Sequence, residues 1–471
     1  MPSYVYQTAD QVIIPVEVCH FGKEPIKSCD IRWSIEAEEN GLKTVIFKGV
    51  WKDCFIPAAK NTQIGEIKPD FTVIKVNKKL TLTVEMGKVR NHWDFFVYEK
   101  SSDCFDMEKN SEVVYTRDWQ EAKRELERGK RVVYSPYLSE LDFDCPPLSM
   151  RPVFWNSQMG PGWTRSLGLV VQSDHPLFWN FPTEEYGGWQ WEDILDQARG
   201  FLLDEMPKGL TPMVSVIDDW NRNLPLGLIF EGRVNAGRLL ICSACLEGEF
   251  KKRPAAWSLK KALLTYASSE SFCPETELRP EWIENHLFPN NRMRLLNASY
   301  RAEPEAAVIN FTALEDENPN HSVWIEKDNY PISVEISFSE RIWVSGLIVV
   351  PDQKDRMHQG CIKDYVVYVR QGENWEEAVR GHFASSFLSQ KAWFDKEYHT
   401  EAIKFTALSG YAMGERPVWE ERTDGWHCIK KQGIPAIQTA GLHIICDKKV
   451  KGNDTLFWKQ FLKSRTKEIE N

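Results

Sequence analysis

Four short stretches of the 471-residue chain carry side chains of the kinds that do acid–base, nucleophilic or metal chemistry. Glu184-Glu185 and Asp218-Asp219 are adjacent carboxylates near aromatic residues, and such pairs can exchange protons with a substrate. Asp174-His175-Pro176 has the makings of a carboxylate–imidazole dyad, and Cys242-Ser-Ala-Cys245 has the spacing of a metal or redox pair. Each also has a plainer reading. Acids at strand ends hydrogen-bond the turns that follow, and Asp-His-Pro is a turn whose geometry the proline fixes. The two cysteines follow the apolar run Arg238-Leu-Leu-Ile, as small buried residues of a strand would. No second C-x-x-C completes a zinc set. The middle of the chain has no Gly-x-Ser-x-Gly elbow, P-loop or Gly-x-Gly-x-x-Gly.

Stepping from these residues to the elements that must hold them, residues 1–110 read as all-β. Val12-Ile-Ile-Pro-Val-Glu-Val, Asp30-Ile-Arg-Trp-Ser-Ile-Glu-Ala, Phe71-Thr-Val-Ile-Lys-Val, Leu80-Thr-Leu-Thr-Val-Glu-Met and His92-Trp-Asp-Phe-Phe-Val-Tyr-Glu are short strands separated by turn residues, the pattern of a β-sandwich. Residues 111–275 alternate helix and strand, which predicts an α/β layer. Asp118 caps a helix that Gly129 stops, further helices are expected over 191–203 and 256–268, and strands over 131–136, 213–217, 226–231 and 238–243. Residues 276–304 read as a proline-containing connection, 305–447 as a second all-β unit beginning with the clean alternation of Ile332-Ser-Val-Glu-Ile-Ser-Phe, and 448–471 as a lysine-rich tail. The fold class expected is multidomain α+β.

Composition bounds the partners. Lys and Arg number 58 against 68 Asp and Glu, a net charge of −10, which argues against general nucleic-acid binding. No apolar run is long enough to span a bilayer, so membrane insertion is not expected, and the N-terminus lacks the basic and apolar regions of a signal peptide. Tryptophan is unusually abundant at 19 residues, which suits both β-sandwich cores and surfaces that stack on sugar rings.

Two resemblances add to this. Arg151-Pro-Val-Phe-Trp-Asn, Leu167-Gly-Leu-Val, Asp174-His-Pro-Leu-Phe, Phe181-Pro-Thr-Glu-Glu-Tyr-Gly-Gly-Trp-Gln-Trp and Val216-Ile-Asp-Asp-Trp-Asn-Arg-Asn-Leu-Pro-Leu-Gly-Leu-Ile-Phe-Glu occur in the order found downstream of the catalytic barrel in bacterial family 2 glycoside hydrolases. With the N-terminal sandwich, which resembles the immunoglobulin-like domain preceding that region, they cover about residues 1–275. The resemblance implies an immunoglobulin-like β-sandwich followed by an amidotransferase-like α/β domain. A retaining glycosidase needs two carboxylates about 5–5.5 Å apart, carried in that family on a (β/α)8 barrel of about 250 residues. No stretch of this chain has eight strand–helix repeats. The resemblance thus implies a non-catalytic portion, with a glycosidase barrel on a separately encoded chain as a partner, and full-length relatives that are exported. An active glycosidase formed with such a barrel and a purely structural scaffold stay open as alternatives.

The second resemblance rests on Asp316-Glu-Asn-Pro-Asn-His-Ser-Val-Trp324, Val344-Ser-Gly-Leu, Ile362-Lys-Asp-Tyr-Val-Val-Tyr-Val and Gly372-Glu-Asn-Trp375. These resemble a discoidin-like β-jelly roll of the coagulation-factor type C kind, the fold shared by family 32 carbohydrate-binding modules. Residues 412–440 read as an insertion before the last strand. The resemblance implies a glycan or polysaccharide ligand held by loops at one end of the roll. Arg356, His358 and Gln359 in the 352–360 loop would hydrogen-bond sugar hydroxyls, while Trp393, Tyr411, Trp419 and Trp426 in later loops would cover the apolar sugar face. Trp324, Trp343 and Trp375 lie in or beside strands and are expected in the core. No cofactor is required, but such modules often hold a structural Ca²⁺, for which Asp316, Glu317 and Asn318 supply oxygens at the matching point. A polar turn closed by Pro319 is the alternative for those three residues.

Overall fold

The structure is a computed structural model that describes residues 1–39, 41–99, 112–142, 144–150, 166–204, 206–218, 223–249, 252–287, 296–303, 311–314, 322–352, 361–386, 388–411, 415–433 and 435–446. The described chain is mostly β-sheet with few helices. No described helix is long and apolar enough to cross a membrane.

The N-terminal body contains β1 (Val5–Gln7), β2 (Ile14–His20), β3 (Ile26–Glu39), β4 (Leu42–Ile56), β5 (Lys60–Ile67), β6 (Lys78–Met86) and β7 (Val89–Tyr98). A five-stranded sheet in the order β1-β7-β6-β3-β4 faces the β2-β5 ribbon. Period-two alternation sends Ile35, Leu80, Leu82, Phe95 and Val97 of the sheet inward, where they meet Ile14, Val16 and Ile67 of the ribbon around Phe71. Strand β7 is apolar on both faces. Phe96 and Tyr98, on its other face, belong to the core of the next body.

That next body contains β8 (Val113–Thr116), α1 (Trp119–Glu127), β9 (Arg131–Tyr134), β10 (Gly168–Val171), α2 (Glu192–Asp196), β11 (Phe201–Leu202), β12 (Val214–Ile217), β13 (Pro225–Val234), β14 (Gly237–Cys242), α3 (Pro254–Ser268) and α4 (Pro280–Glu284). Its mixed sheet runs β10-β12-β13-β14-β9-β8, with β11 paired to β13. Strands β8, β9 and β14 are parallel, α1 making the crossover from β8 to β9. Asp118 caps α1 by accepting from the Glu121 N–H at 3.0 Å, and Gly129 follows the helix at φ 78°, both as the sequence predicts. Cys242 ends β14 and Cys245 sits in the turn after it, both buried, and burial pushes the Cys242 thiol up to about 12. The plainer reading of that pair therefore holds. The helix expected over 191–203 is instead the five-residue α2 followed by strand β11. The reason is tertiary: the Arg199 N–H bonds the Ser243 carbonyl at 3.0 Å and the Gly200 N–H bonds that of Pro146 at 2.8 Å, which pulls this backbone out of the helix.

The C-terminal body contains β15 (Ser299–Glu303), β16 (Val323–Glu326), β17 (Ile332–Pro351), β18 (Asp364–Gln371), β19 (Asn374–His382), β20 (Gln390–Ala407), β21 (Glu415–Arg422), β22 (Gly425–Gln432) and β23 (Ala436–Cys446). The order is β16-β23-β17-β20-β18-β19, with β15 on β17 and a separate β21-β22 hairpin. The long strands β17 and β20 pair along most of their lengths, with breaks in register between Ser337 and Ile342 and between Val344 and Gly346. At Gly346 a Cβ would lie 2.9 Å from the Ala392 carbonyl oxygen, so glycine permits the second break. Trp343 corrects an expectation. Its neighbours Ile342 and Val344 point inward, so alternation turns Trp343 outward, 48% exposed and stacked on His399 with centroids 5.0 Å apart. The C-terminal body meets the middle one where Ser389 donates from its N–H and its hydroxyl to the Asp144 carboxylate, both at 2.7 Å, and where the Lys391 ammonium reaches the Asn285 carbonyl at 2.9 Å.

Candidate functional site

The ends of several strands of the C-terminal body converge. Tyr330, ahead of β17, donates its hydroxyl to the Ala436 carbonyl at the start of β23 (3.1 Å). The backbone at Gly410, just past β20, passes so close that a Cβ there would lie 2.2 Å from that hydroxyl. Gly410 bridges to Ile362, and the Tyr411 N–H donates to the Cys361 carbonyl at 3.0 Å. Nearby, Asp352 at the end of β17 accepts from the Ser322 hydroxyl at 2.5 Å and from the Gln438 amide at 2.8 Å. The 353–360 segment therefore leaves from a buried, hydrogen-bonded Asp352 and returns at Cys361, against Tyr411. Arg356, His358 and Gln359 lie in that segment, outside the described residues. So do Asp316, Glu317 and Asn318, although Ser322, four residues after Asn318, is tied to Asp352.

Of the sequence-predicted residues, Tyr411 is the one seated in this convergence. Its hydroxyl donates to the Phe383 carbonyl at 2.6 Å and lies 3.1 Å from His382 Nε2. The opposite nitrogen, Nδ1, lies 3.0 Å from Asp364 Oδ1. A carboxylate can only accept, so Nδ1 carries a proton toward it. The other oxygen of Asp364 accepts from the Ser409 hydroxyl at 2.5 Å. The hydrogen bonds from His382 and Ser409 hold the Asp364 carboxyl below its ordinary range. The result is a partly exposed hydrogen-bonded row, Ser409–Asp364–His382–Tyr411, in which Asp364 accepts from both Ser409 and His382 and the Tyr411 oxygen lies against His382 Nε2. Sugar hydroxyls, which donate and accept at once, match such a lining. His382, Asp364 and Ser409 were not singled out in the sequence as site residues. The available signal was Asp364 itself, within the Lys363-Asp-Tyr strand motif.

Trp426 stands on the β21-β22 hairpin, directly after its turn, and is 63% exposed. The hairpin is rooted in the same convergence, since it follows Tyr411 and is followed by Ala436. Trp419 pairs with Cys428 in the hairpin ladder, its side chain outside the described residues. Trp393 is not in a loop. It lies on β20 opposite Gly346, 56% exposed, six residues of β17 away from Asp352 and so about 20 Å along the strand. The structure therefore seats Tyr411 in the convergence, carries Trp426 near the hairpin turn, six residues and so about 20 Å along the strand from the base at Glu415 and Gln432, and leaves Trp393 on another part of the surface.

Three of the acid–base candidates of the middle body, His175, Glu184 and Asp218, have structural partners. His175 Nδ1 accepts from the Leu177 N–H at 3.3 Å, capping the turn that follows, and burial pushes its pKa down. Glu184 forms an ion pair with Lys79 of β6. Asp218 is buried and accepts from the Leu224 N–H at 3.1 Å, while Asp219 lies outside the described residues.

Comparison with known proteins gives two family matches, Domain of unknown function (DUF8488) over residues 10–99 and Domain of unknown function (DUF8487) over residues 114–288. No curated protein matches. Solved structures similar to part of the chain include family 32 carbohydrate-binding modules. One, from NanJ of C. perfringens in complex with galactose, is 17% identical, covering 32% of this chain and 95% of that one with a TM-score of 0.25. Another from Clostridium perfringens, in complex with GalNAc-β-1,3-galactose, is 14% identical over 32% and 96% of the chains, TM-score 0.24. The module from Streptococcus pneumoniae EndoD is 9% identical over 34% and 100%, TM-score 0.25. None of these matches is a family 2 glycoside hydrolase.

Proposed function

We propose that this chain is a glycan-binding protein whose ligand is held at the converged end of the C-terminal body. The observation that carries the reading is the seating of Tyr411. Its backbone is fixed to the end of the 353–360 segment, and its hydroxyl joins the His382–Asp364–Ser409 chain. On this reading Arg356, His358 and Gln359 supply further hydrogen bonds, Trp426 and Trp419 offer ring faces from the hairpin, and Asp316, Glu317 and Asn318 hold a structural Ca²⁺ that shapes the adjoining turn. The N-terminal and middle bodies, if their resemblance to the post-barrel region of family 2 glycoside hydrolases is followed, would present this module beside a separately encoded catalytic barrel. The chain itself would not hydrolyse glycosides.

The test is a glycan array followed by calorimetry, with galactose- and GalNAc-terminated glycans among the probes. The chain is expected to retain at least one glycan. Tyr411→Ala and Trp426→Ala should each weaken that affinity by about tenfold or more, equivalent to about 1.4 kcal/mol. Loss of binding in EDTA, restored by Ca²⁺, would support the cation assignment. A folded wild-type chain that binds nothing on a broad array, or variants that bind as well as wild type, would overturn the reading.

A further inference from the structure

A second cluster of chemically capable side chains lies far in sequence from the loop end just described. Strand β9 leads into a loop whose described residues, 138–142 and 144–145, are held by the buried Arg199 guanidinium. Its N–H groups donate to the carbonyls of Leu138 (3.0 Å), Leu141 (2.7 Å), Asp142 (2.8 Å) and Cys145 (2.6 Å). Across from this loop, His286 follows the end of α4 by two residues. The two segments are stitched by the Asp142 N–H to the His286 carbonyl at 3.0 Å and by a bridge between Leu141 and Leu287. Asp142, Cys145 and His286 are all buried, and one carboxylate oxygen, the sulfur and one ring nitrogen lie within 4.8 Å of one another.

The surroundings of each group matter. Among the described residues the Asp142 carboxylate accepts one hydrogen bond, from the Asp144 N–H at 3.0 Å, so a second oxygen has lone pairs to offer. Asp144 itself is committed to Ser389. His286 Nε2 is 3.0 Å from Asp204 Oδ1, and the ring is clamped edge-on between Phe201 and Trp282, with centroids 5.2 and 5.6 Å away. A carboxylate on one imidazole nitrogen is the arrangement that orients a histidine and raises its basicity when the ring serves as a metal ligand.

We propose that Asp142, Cys145 and His286 form a binding site for a first-row divalent cation of the zinc type, with Asp204 as the group that orients His286. The mixed oxygen, sulfur and nitrogen donors select this class. Calcium and magnesium take oxygen ligands, whereas zinc accepts carboxylate, thiolate and imidazole together. Bond lengths of about 2.0–2.3 Å place tetrahedral ligands roughly 3.3–3.8 Å apart, so side-chain rotation of about an ångström closes the set. Binding exchanges the Cys145 thiol proton, released to solvent, for the metal–sulfur bond. A water molecule would complete the coordination. The site is placed to act on architecture. Asp144, between two ligands, holds Ser389, and Asn285, next to the third, holds Lys391, so the cation would fasten the seam between the middle and C-terminal bodies.

The experiment uses the full chain, expressed with added Zn²⁺ in one culture and Co²⁺ in another, and freed of loosely held metal by gel filtration. Elemental analysis should give about one metal per chain, and the cobalt form should show a near-ultraviolet thiolate-to-metal charge-transfer band. X-ray absorption at the zinc edge should report one sulfur ligand among nitrogen and oxygen ligands. Cys145→Ser should abolish the band and His286→Asn the stoichiometry, while Asp144→Asn, which spares all three ligands, keeps both. A metal-free wild-type chain, a coordination set without sulfur or with several sulfurs, or a band unchanged in folded Cys145→Ser would overturn the proposal. The wild-type spectra decide the matter even if a variant does not fold.

Discussion

Arg199 is the side chain that ties down the loop after β9 in the middle body. It spends its donors on four loop carbonyls while itself buried, so replacing it strands several buried acceptors at once. Each buried unsatisfied group costs about 1–3 kcal/mol. Arg199→Met should therefore lower unfolding free energy by at least about 3 kcal/mol, read as a shift in urea midpoint. Glu231 makes a second case, with the sign set by burial. Desolvation raises its pKa, and the hydrogen bond from the Tyr266 hydroxyl at 2.8 Å offsets this in part. Between the ordinary glutamate value and that raised one, the folded chain holds a proton the unfolded chain has lost, so stability falls as pH rises through this window. Glu231→Gln keeps an acceptor for Tyr266 without the charge. It should flatten that slope and be the more stable protein above the window, as thermal melts across pH 4–8 would measure. A slope identical to wild type would refute the assignment. Neither residue stood out in the sequence. The carbonyls that Arg199 bonds lie more than 50 residues away, so no local spacing discloses it, whereas Asp118 was legible because its partner lies three residues away.

At the scale of elements, the loop after β20 and the segment before β17 are fitted to each other through Gly410 and the Tyr330 hydroxyl. Gly410→Ala places a methyl 2.2 Å from that oxygen and should cost about 1–3 kcal/mol, the usual range for overpacking. Tyr330→Phe removes the obstructing atom, so the double variant should recover a large part of the loss. Additive effects in the double-mutant cycle would contradict the contact. The β21-β22 hairpin makes the opposite case. Among the described side chains it contributes no residue to the buried core of the C-terminal body. Replacing residues 415–432 with a short turn should leave the melting temperature of that body nearly unchanged while glycan retention falls. The sequence marked residues 412–440 as an insertion by their departure from the discoidin-like pattern; the hairpin occupies 415–432 of that stretch, and the last strand already begins at Ala436. It misplaced the helix over 191–203, because Gln197, Ala198 and Arg199 have helical composition but the Arg199 and Gly200 N–H groups are claimed by the Ser243 and Pro146 carbonyls, far away in the chain. It misread Trp343 because residue type was allowed to outweigh position in an alternating strand.

The whole molecule is less modular than its sequence suggests. In Phe95-Phe96-Val97-Tyr98 four apolar residues follow one another, and period two sends them alternately to two faces. Phe95 and Val97 close the N-terminal sandwich, whereas Phe96 and Tyr98 enter the core of the mixed sheet, Tyr98 stacking on Phe181 with centroids 6.1 Å apart. Such a run in a sequence says that both faces are covered, but not by what. Around it, the Asn77 amide donates to the Asn180 carbonyl at 2.9 Å and to the Ser258 hydroxyl at 2.8 Å, and Tyr4 stacks on Trp189. The C-terminal body, by contrast, has a core drawn entirely from residue 296 onward and meets the middle body through Leu388, Ser389 and Lys391. Calorimetry of the full chain should accordingly resolve two transitions, with the first two bodies melting as one unit and the C-terminal body as another. Phe96→Ala tests this division, since truncating a fully buried phenylalanine costs about 3–5 kcal/mol. It should lower the shared transition as a whole and leave the other in place, and Phe405→Ala should do the reverse. A third transition that appears in Phe96→Ala, or a shift confined to a sandwich-sized enthalpy, would mean that β7 serves two separately folding cores rather than one continuous structure.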